Sequence, residues 1–354
     1  MKRPGRAGKT TVGRDMAPAL RGLTFLALPL LMILGALAVW WPPLDTINQF
    51  TPMLFLACMA VLVFGTRQVD GFWRASVLSA CIVALYISGT NLLGERFGGL
   101  RDIHGPCPDQ TVTVLTQNLW SRNQEPWRTA DTLKRSGADV LLLQEVRGSG
   151  EEVVRLLRPS FPYAADCSTN PWCSLTILSK KPIRTWRYHQ GRWTGPDPDV
   201  LTFIIADIDS GVGAPMTVVT THLLHLSDHE LQSRQMRQLV TALADEDQAD
   251  LVVGGDMNLT PWTFALKSLD SHMQGRRVSR NVPSWPARAP FPDYALPSPF
   301  PLWPIDHIYA GKNWRACKVG ASRRTGSDHY GVIATFAPVE ITASKAVRHV
   351  APAH

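Results

Sequence analysis

The sequence predicts three membrane-spanning helices followed by an α+β domain, a two-sheet β-sandwich flanked by helices. Three observations predict it. Residues 22–44, 46–66 and 75–94 carry no charged side chain except where they are bounded, and each window holds 20 or more residues. About 20 apolar residues span a bilayer core as a helix. Beyond residue 109, short β-rich runs alternate with helical segments without strict strand–helix–strand repetition, a pattern that fits two packed sheets covered by helices. Polar residues of a few chemical types stand at the ends of those β-rich runs.

The first 20 residues are basic and polar. Residues 1–21 carry Lys2, Arg3, Arg6, Lys9, Arg14 and Arg21 against Asp15 alone, the segment near Asp45 has no Lys or Arg, and the 66–74 segment has Arg67 and Arg74. The positive-inside rule puts the N-terminus and the 66–74 loop in the cytoplasm. After three crossings the rest of the chain is expected outside it, on the outer face of the inner (plasma) membrane. A signal peptide would not produce three successive windows.

The glycines and prolines of 95–108 predict a linker, and the catalytic domain is expected over 109–338 with a loose tail after it. Of the formal charge of +7, residues 1–100 hold +5 and the remainder +2, so the basic balance belongs mainly to the anchor. A nucleic-acid groove would want a basic domain. Arg276, Arg277 and Arg280, and Arg323 with Arg324, could form local patches or simply solvated loops. Cys58 and Cys81 fall in the predicted spans. Cys107, Cys167, Cys173 and Cys317 lie in a domain expected outside the cytoplasm, which permits disulfides. Cys167 and Cys173 bracket an Asn-Pro turn signal, and Cys107 with Cys317 is the other candidate pair.

Within the domain the elements follow in order. Strands are predicted over 111–116, 140–143, 174–178, 201–208, 216–220, 251–253, 305–309, 315–319 and 331–336. A short helix carries Trp127, Ala130, Leu133 and Lys134, and another covers 151–157. The clearest helix runs over 228–244, with Leu231, Met236, Leu239, Val240 and Leu243 on one side and Ser227 with Glu230 as a capping box. Thr260-Pro261 is expected to open a further helix. Residues 283–304, with eight prolines and two tryptophans, predict a loop.

The polar groups at the strand ends are Asn118, Glu145, His222, Asp256 with Asn258, Asp306, and Asp328-His329. Carboxylate, amide and imidazole without thiolate suit a hard cation and a phosphate. In this order the motifs Thr116-Gln117-Asn118, Gln144-Glu145, Thr221-His222-Leu223, Gly255-Asp256-Met257-Asn258, Ile305-Asp306-His307 and Ser327-Asp328-His329 resemble the endonuclease/exonuclease/phosphatase superfamily, over roughly residues 110–338.

The resemblance implies the sandwich fold and hydrolysis of phosphate esters with Mg2+ or Mn2+. It makes Glu145 the principal metal ligand, with Asn118 and Asp328 beside it. Asp256 orients or deprotonates the attacking water, Asn258 positions it, Asp306 holds His329, and His329 and His222 contact the phosphate. Some members carry an acidic residue two positions after the Asn, where Trp120 stands here. His222, His225 and His229 could suggest zinc, but their spacing matches no zinc pattern. His307 should face away from the site.

The expected substrate is a phosphorylated lipid or lipid-linked pyrophosphate presented by the bilayer. Trp262, Trp285 and Trp303 flank the catalytic loops and could meet it. A membrane-tethered nuclease, with nucleic acid as partner, is the alternative. A non-catalytic binding module is a third reading, disfavoured because the polar set is intact.

Overall fold

In the computed structural model, the described residues are 12–339 apart from 103–105, 170–172, 190, 192–200, 226–227, 289–297 and 299–300. Helices α1 (Val12–Ala36), α3 (Thr51–Phe64) and α4 (Gly71–Asp102) form the N-terminal bundle, with a single turn α2 (Asp45–Asn48) between α1 and α3. Three stretches, Pro18–Val39, Thr51–Gln68 and Gly71–Gly98, are long and apolar enough to cross a membrane. Their shared core is small, centred on Met32, Cys58, Val77, Cys81 and Ala84, whereas Leu23, Leu56, Phe64, Ile82 and Tyr86 point outward. A helix apolar on its outer face as well as its inner one suits a lipid surround.

Two sequence expectations change here. The 46–66 window is not all span: residues 45–50 form the short helix α2 and the turn after it, and α3 begins at Thr51 with Pro52 in its first turn. The 95–108 linker is helical as far as Asp102, because α4 continues through it. What holds that extension is an ion-pair cluster. Glu95 accepts from Arg277 (2.9 Å) and Arg280 (3.0 Å), and Arg277 also pairs with Asp270 (2.8 Å). Arg277 is fully buried and Arg280 half-buried, so these two arginines join anchor to domain rather than forming a solvated loop, while Arg276 beside them is exposed.

The domain is a sandwich of two six-stranded sheets. One has the order β11-β12-β1-β2-β4-β3, built from β1 (Val112–Asn118), β2 (Val140–Gln144), β3 (Tyr163–Asp166), β4 (Thr176–Ser179), β11 (Trp314–Ala321) and β12 (Val332–Pro338). The other has the order β5-β6-β7-β8-β10-β9, from β5 (Ile183–His189), β6 (Phe203–Asp209), β7 (Pro215–His222), β8 (Leu251–Asp256), β9 (Arg276–Arg277) and β10 (Asp306–Ala310). Side chains alternate across each strand. Val112, Val114, Val140, Leu142, Val218, Val252 and Ile308 therefore meet between the sheets. Leu115, Leu141 and Leu143 face out beneath α5 (Pro126–Lys134) and α6 (Ser149–Leu157). Leu251, Val253 and Tyr309 face out beneath α7 (His229–Leu243) and α8 (Phe264–His272).

Smaller differences concern helix ends. Asp228 precedes α7 without a side-chain cap, and Ser227 lies outside the described residues. Helix α8 starts at Phe264 rather than Thr260-Pro261, because Thr263 takes the cap: its Oγ1 accepts from Leu266 N–H at 3.2 Å. Two disulfides are present, Cys107–Cys317 and Cys167–Cys173, while Cys58 and Cys81 are free and buried in the bundle.

Candidate active site

Strand alternation decides where the polar groups go. Asn118 continues the inward face of Val112 and Val114, His222 that of Val218, Asp256 that of Val252, and Asp306 that of Ile308. Register aligns their ends: Asn118 sits opposite Gln144 in the parallel β1–β2 pair, His222 opposite Asp256 in the parallel β7–β8 pair, and Asp306 opposite Asp256 across β8–β10. All of them therefore converge on one end of the seam between the sheets. Below them Gln144 Nε2 donates to Thr116 Oγ1 (3.1 Å) on its own sheet and Thr220 Oγ1 (2.9 Å) on the other, tying the sheets under the site. Gly254 allows that approach, since a Cβ there would lie 2.7 Å from Leu142 Cδ1.

The structure gathers all eight sequence-predicted residues. Glu145, His222, Asp256, Asn258, Asp328 and His329 line one cavity of about 780 Å³, and Asn118 and Asp306 stand behind them. Asn118 Nδ2 bridges two carboxylates, donating to Glu145 Oε1 (3.0 Å) and Asp256 Oδ2 (3.1 Å). His329 Nδ1 donates to Asp306 Oδ2 at 2.8 Å, while its Nε2 lies 3.8 Å from Asp256 Oδ2. His222 Nε2 approaches the same Asp256 oxygen from the other side at 3.6 Å. Ser327 Oγ donates to the Asn118 carbonyl (2.7 Å) and accepts from His329 N–H (3.1 Å), which fixes the loop that presents Asp328 and His329.

His307 faces the opposite way, onto α8's side of the sheet. Its Nε2 donates to the Leu259 carbonyl at 2.8 Å. Among the described residues His222, His225 and His229 do not converge: His222 ends β7 and His229 opens α7.

Backbone strain is concentrated here. Trp120, Glu145 and Asn258 have φ of 57°, 52° and 51°. Non-glycine residues in the left-handed region cost roughly 1–3 kcal/mol each and persist where the surroundings over-determine them. At Glu145 the reason is visible: its Oε2 accepts from Ser121 N–H at 3.0 Å, so the chain must turn sharply after β2 to aim the carboxylate inward.

The electrostatics separate the groups by role. Burial alone would pull His329 down, but the charges of Asp306 and Asp256 and the hydrogen bond it donates to Asp306 outweigh it and lift its pKa to about 10. It is an imidazolium at neutral pH. Burial raises the Asp256 carboxyl, and the Asp306 charge raises it further, against the pull of His329, His222 and Asn118. For Glu145 burial pushes upward too, yet hydrogen bonds from Ser121 and Asn118 and the nearby imidazoles win and hold it below the usual carboxylate range.

Two sets could hold a cation. Asp256, Asp306 and His329 offer ligand atoms within 4.8 Å of one another. A protonated His329 bonded to Asp306 has no lone pair to give, so this set reads as an acid–base group. The other set is the two carboxylates of Glu145 and Asp328, which line the same cavity, with Asn118 beside Glu145; the Asn118 Oδ1, the atom it could offer a cation, accepts from Trp120 N–H at 2.9 Å. Asp328 is raised by burial and by the charges of Glu145 and Asp256. Buried carboxylates crowded in this way suit a hard cation that oxygen donors can bind.

Sequence reasoning placed Ser327 in its motif without a role, and it missed Ser121 and three residues from the segment between α1 and α3. Thr46, Gln49 and Phe50 form one wall of the cavity, facing Trp285 and Trp303. The polar Asp45, Asn48 and Gln49 inside an uncharged window were the available signal. Trp285 lies with its Nε1 3.4 Å from Asp328 Oδ2, and Trp262 is buried behind the site.

This sandwich, with a carboxylate, amide and imidazole cluster at one end of its seam, defines a phosphoesterase class. A model of the Endonuclease/Exonuclease/phosphatase family matches residues 115–329, and the chain belongs to that family. Members of the family are hydrolases acting on phosphate esters with divalent metal. No curated protein matches the sequence. Among solved structures, an endonuclease/exonuclease/phosphatase protein from Beutenbergia cavernae is 17% identical with a TM-score of 0.52, over 65% of this chain and 72% of that one. Beta toxin from Staphylococcus aureus with bound magnesium ions is 16% identical (TM-score 0.48; 63% and 99% covered). TDP2 from D. rerio in complex with single-strand DNA product is 16% identical (TM-score 0.49; 65% and 100% covered). The first of these shares the fold.

Proposed function

We propose that the chain is a membrane-anchored, divalent-metal-dependent phosphoesterase that hydrolyses a phosphorylated lipid or lipid-linked pyrophosphate at the outer face of the inner membrane. One observation carries the substrate reading. The cavity has a charged half, with Glu145, Asp256, Asp328 and His329, and an aromatic half, with Phe50, Trp285 and Trp303. Phe50 and Trp303 meet edge to face at 5.8 Å, and Phe50 precedes the first residue of the apolar helix α3. Trp40 and Trp41, largely exposed at the end of the first apolar stretch, suit an interfacial belt on the same side as the site. A phosphate on an apolar carrier matches both halves of such a cavity.

The chemistry follows from the residues. Glu145, Asp328 and Asn118 would hold the ion, which when bound neutralises charge on the phosphate oxygens. Asp256, with Asn258 beside it, takes a proton from water as the water oxygen bonds to phosphorus. The bond from phosphorus to the leaving oxygen breaks in line. The His329 imidazolium, kept charged by Asp306, stabilises the charge on phosphorus-bound oxygen, and His222 faces it across the site.

The test is a panel of a polyprenyl pyrophosphate, a phospholipid, and single- and double-stranded DNA, with full-length protein in detergent and equal Mg2+. Turnover of a lipid substrate is expected. Fast DNA cleavage with neither lipid touched would replace this reading with a tethered nuclease. The pairing of buried Arg277 and half-buried Arg280 with Glu95 argues against that outcome.

A further inference from the structure

The anchor does more than tether. Five hydrogen bonds join residues 45–49, between α1 and α3, to the start of α8 and to the loops around the site. The buried Asp45 carboxylate accepts from Phe264 N–H (3.0 Å) and Ala265 N–H (2.8 Å), the first two amides of α8. Gln49 Nε2 donates to the Asn258 carbonyl (3.0 Å), and Gln49 Oε1 accepts from Thr260 N–H (2.9 Å). Trp303 Nε1 donates to the Gln49 carbonyl (2.9 Å).

We propose that Gln49 is a positioning residue for the active site: its amide clamps the backbone of 258–260 and so fixes where the Asn258 side chain stands. The inference rests on the reading that Asn258 faces the reacting phosphate. Asn258 is left-handed (φ 51°) and needs outside support. Its own N–H goes to Asp256 Oδ1 (2.9 Å) and its Nδ2 to the Leu223 carbonyl (2.9 Å), which leaves its carbonyl for Gln49. A carboxamide is the group this job requires. It presents one donor and one acceptor side by side, matching a carbonyl and an N–H two residues apart. A carboxylate offers only acceptors and would repel the Asn258 carbonyl.

That difference gives the test. Full-length Gln49→Ala and Gln49→Glu are compared with wild type in detergent. kcat and KM are measured on bis(4-nitrophenyl) phosphate with Mg2+, and hydrogen exchange is followed at the Thr260 amide. Both variants should lose kcat by about tenfold or more with KM little changed, since small misplacements near a reacting centre are costly. Thr260 should exchange faster in Gln49→Ala but keep its protection in Gln49→Glu, which retains the acceptor. Wild-type kcat in Gln49→Glu, or unchanged Thr260 exchange in Gln49→Ala, overturns the proposal. If wild type turns over no phosphate ester, the functional reading fails, and the exchange data alone decide for or against the clamp.

Discussion

His329 Nδ1 lies 2.8 Å from Asp306 Oδ2, with both groups buried, and this pair keeps a proton on an imidazole that burial alone would strip. The proton is what makes His329 useful to a phosphate. Asp306 is opposite Asp256 on the neighbouring strand, so one sheet register holds the acid–base partners together.

Asp306→Asn should therefore move the alkaline limb of the pH–rate profile to lower pH. Removing the carboxylate removes the main force holding the His329 pKa near 10, so the imidazolium is lost at lower pH. kcat/KM followed from pH 6 to about 10.5 checks it. A limb that stays where wild type has it would assign the alkaline loss to another group.

His307 predicts acid sensitivity. Burial first, then the nearby Arg277 charge, lower its pKa to about 3. Its folded value is below its unfolded one, so the unfolded state binds the extra proton. Stability present above about pH 6.5 is lost as the pH falls from there toward 3, on the order of a few kcal/mol in all. The melting temperature of His307→Gln should fall less steeply over that window than that of wild type. Parallel slopes would contradict it.

The Cys107–Cys317 disulfide closes a separation of 210 residues and ties the start of the domain to β11. Crosslinks of this kind commonly contribute about 2–4 kcal/mol. Cys317→Ala should lower the melting temperature under oxidising conditions and leave that of fully reduced protein nearly unchanged. Non-reducing peptide mapping that finds Cys107 and Cys317 as free thiols would rule the bond out.

The orientation proposal has its own measurement. A reporter active only outside the cytoplasm should work when fused after Pro338 and fail in the 66–74 loop. The reverse pattern would invert the topology.

Much of the site was legible because each polar residue ends an apolar run, and strand alternation then forces Asn118, His222, Asp256 and Asp306 to one face. The three apolar windows were legible for the same reason of scale: hydropathy needs no partner to be read. What escaped depends on partners far along the chain. Gln49 and Phe50 sit in an uncharged window, where averaging hides a turn that exists because Asn258, Thr260 and Trp303 bind it. The glycines of 94–99 read as a linker, but Glu95 meets Arg277 and Arg280 about 180 residues later and keeps the segment helical. Nor could the sequence tell that Arg277 is buried, since its pairing with Asp270 and Glu95 is formed only by the fold.

The central claim is hydrolysis of a phosphate ester by a metal held at Glu145. The most direct measurement titrates Mg2+ into chelator-stripped wild type and Glu145→Ala while following phosphate-ester turnover. The account predicts that wild-type activity returns with metal and that Glu145→Ala stays about 100-fold or more lower at every Mg2+ concentration. Turnover that survives chelation, or near-normal turnover in Glu145→Ala, would contradict it.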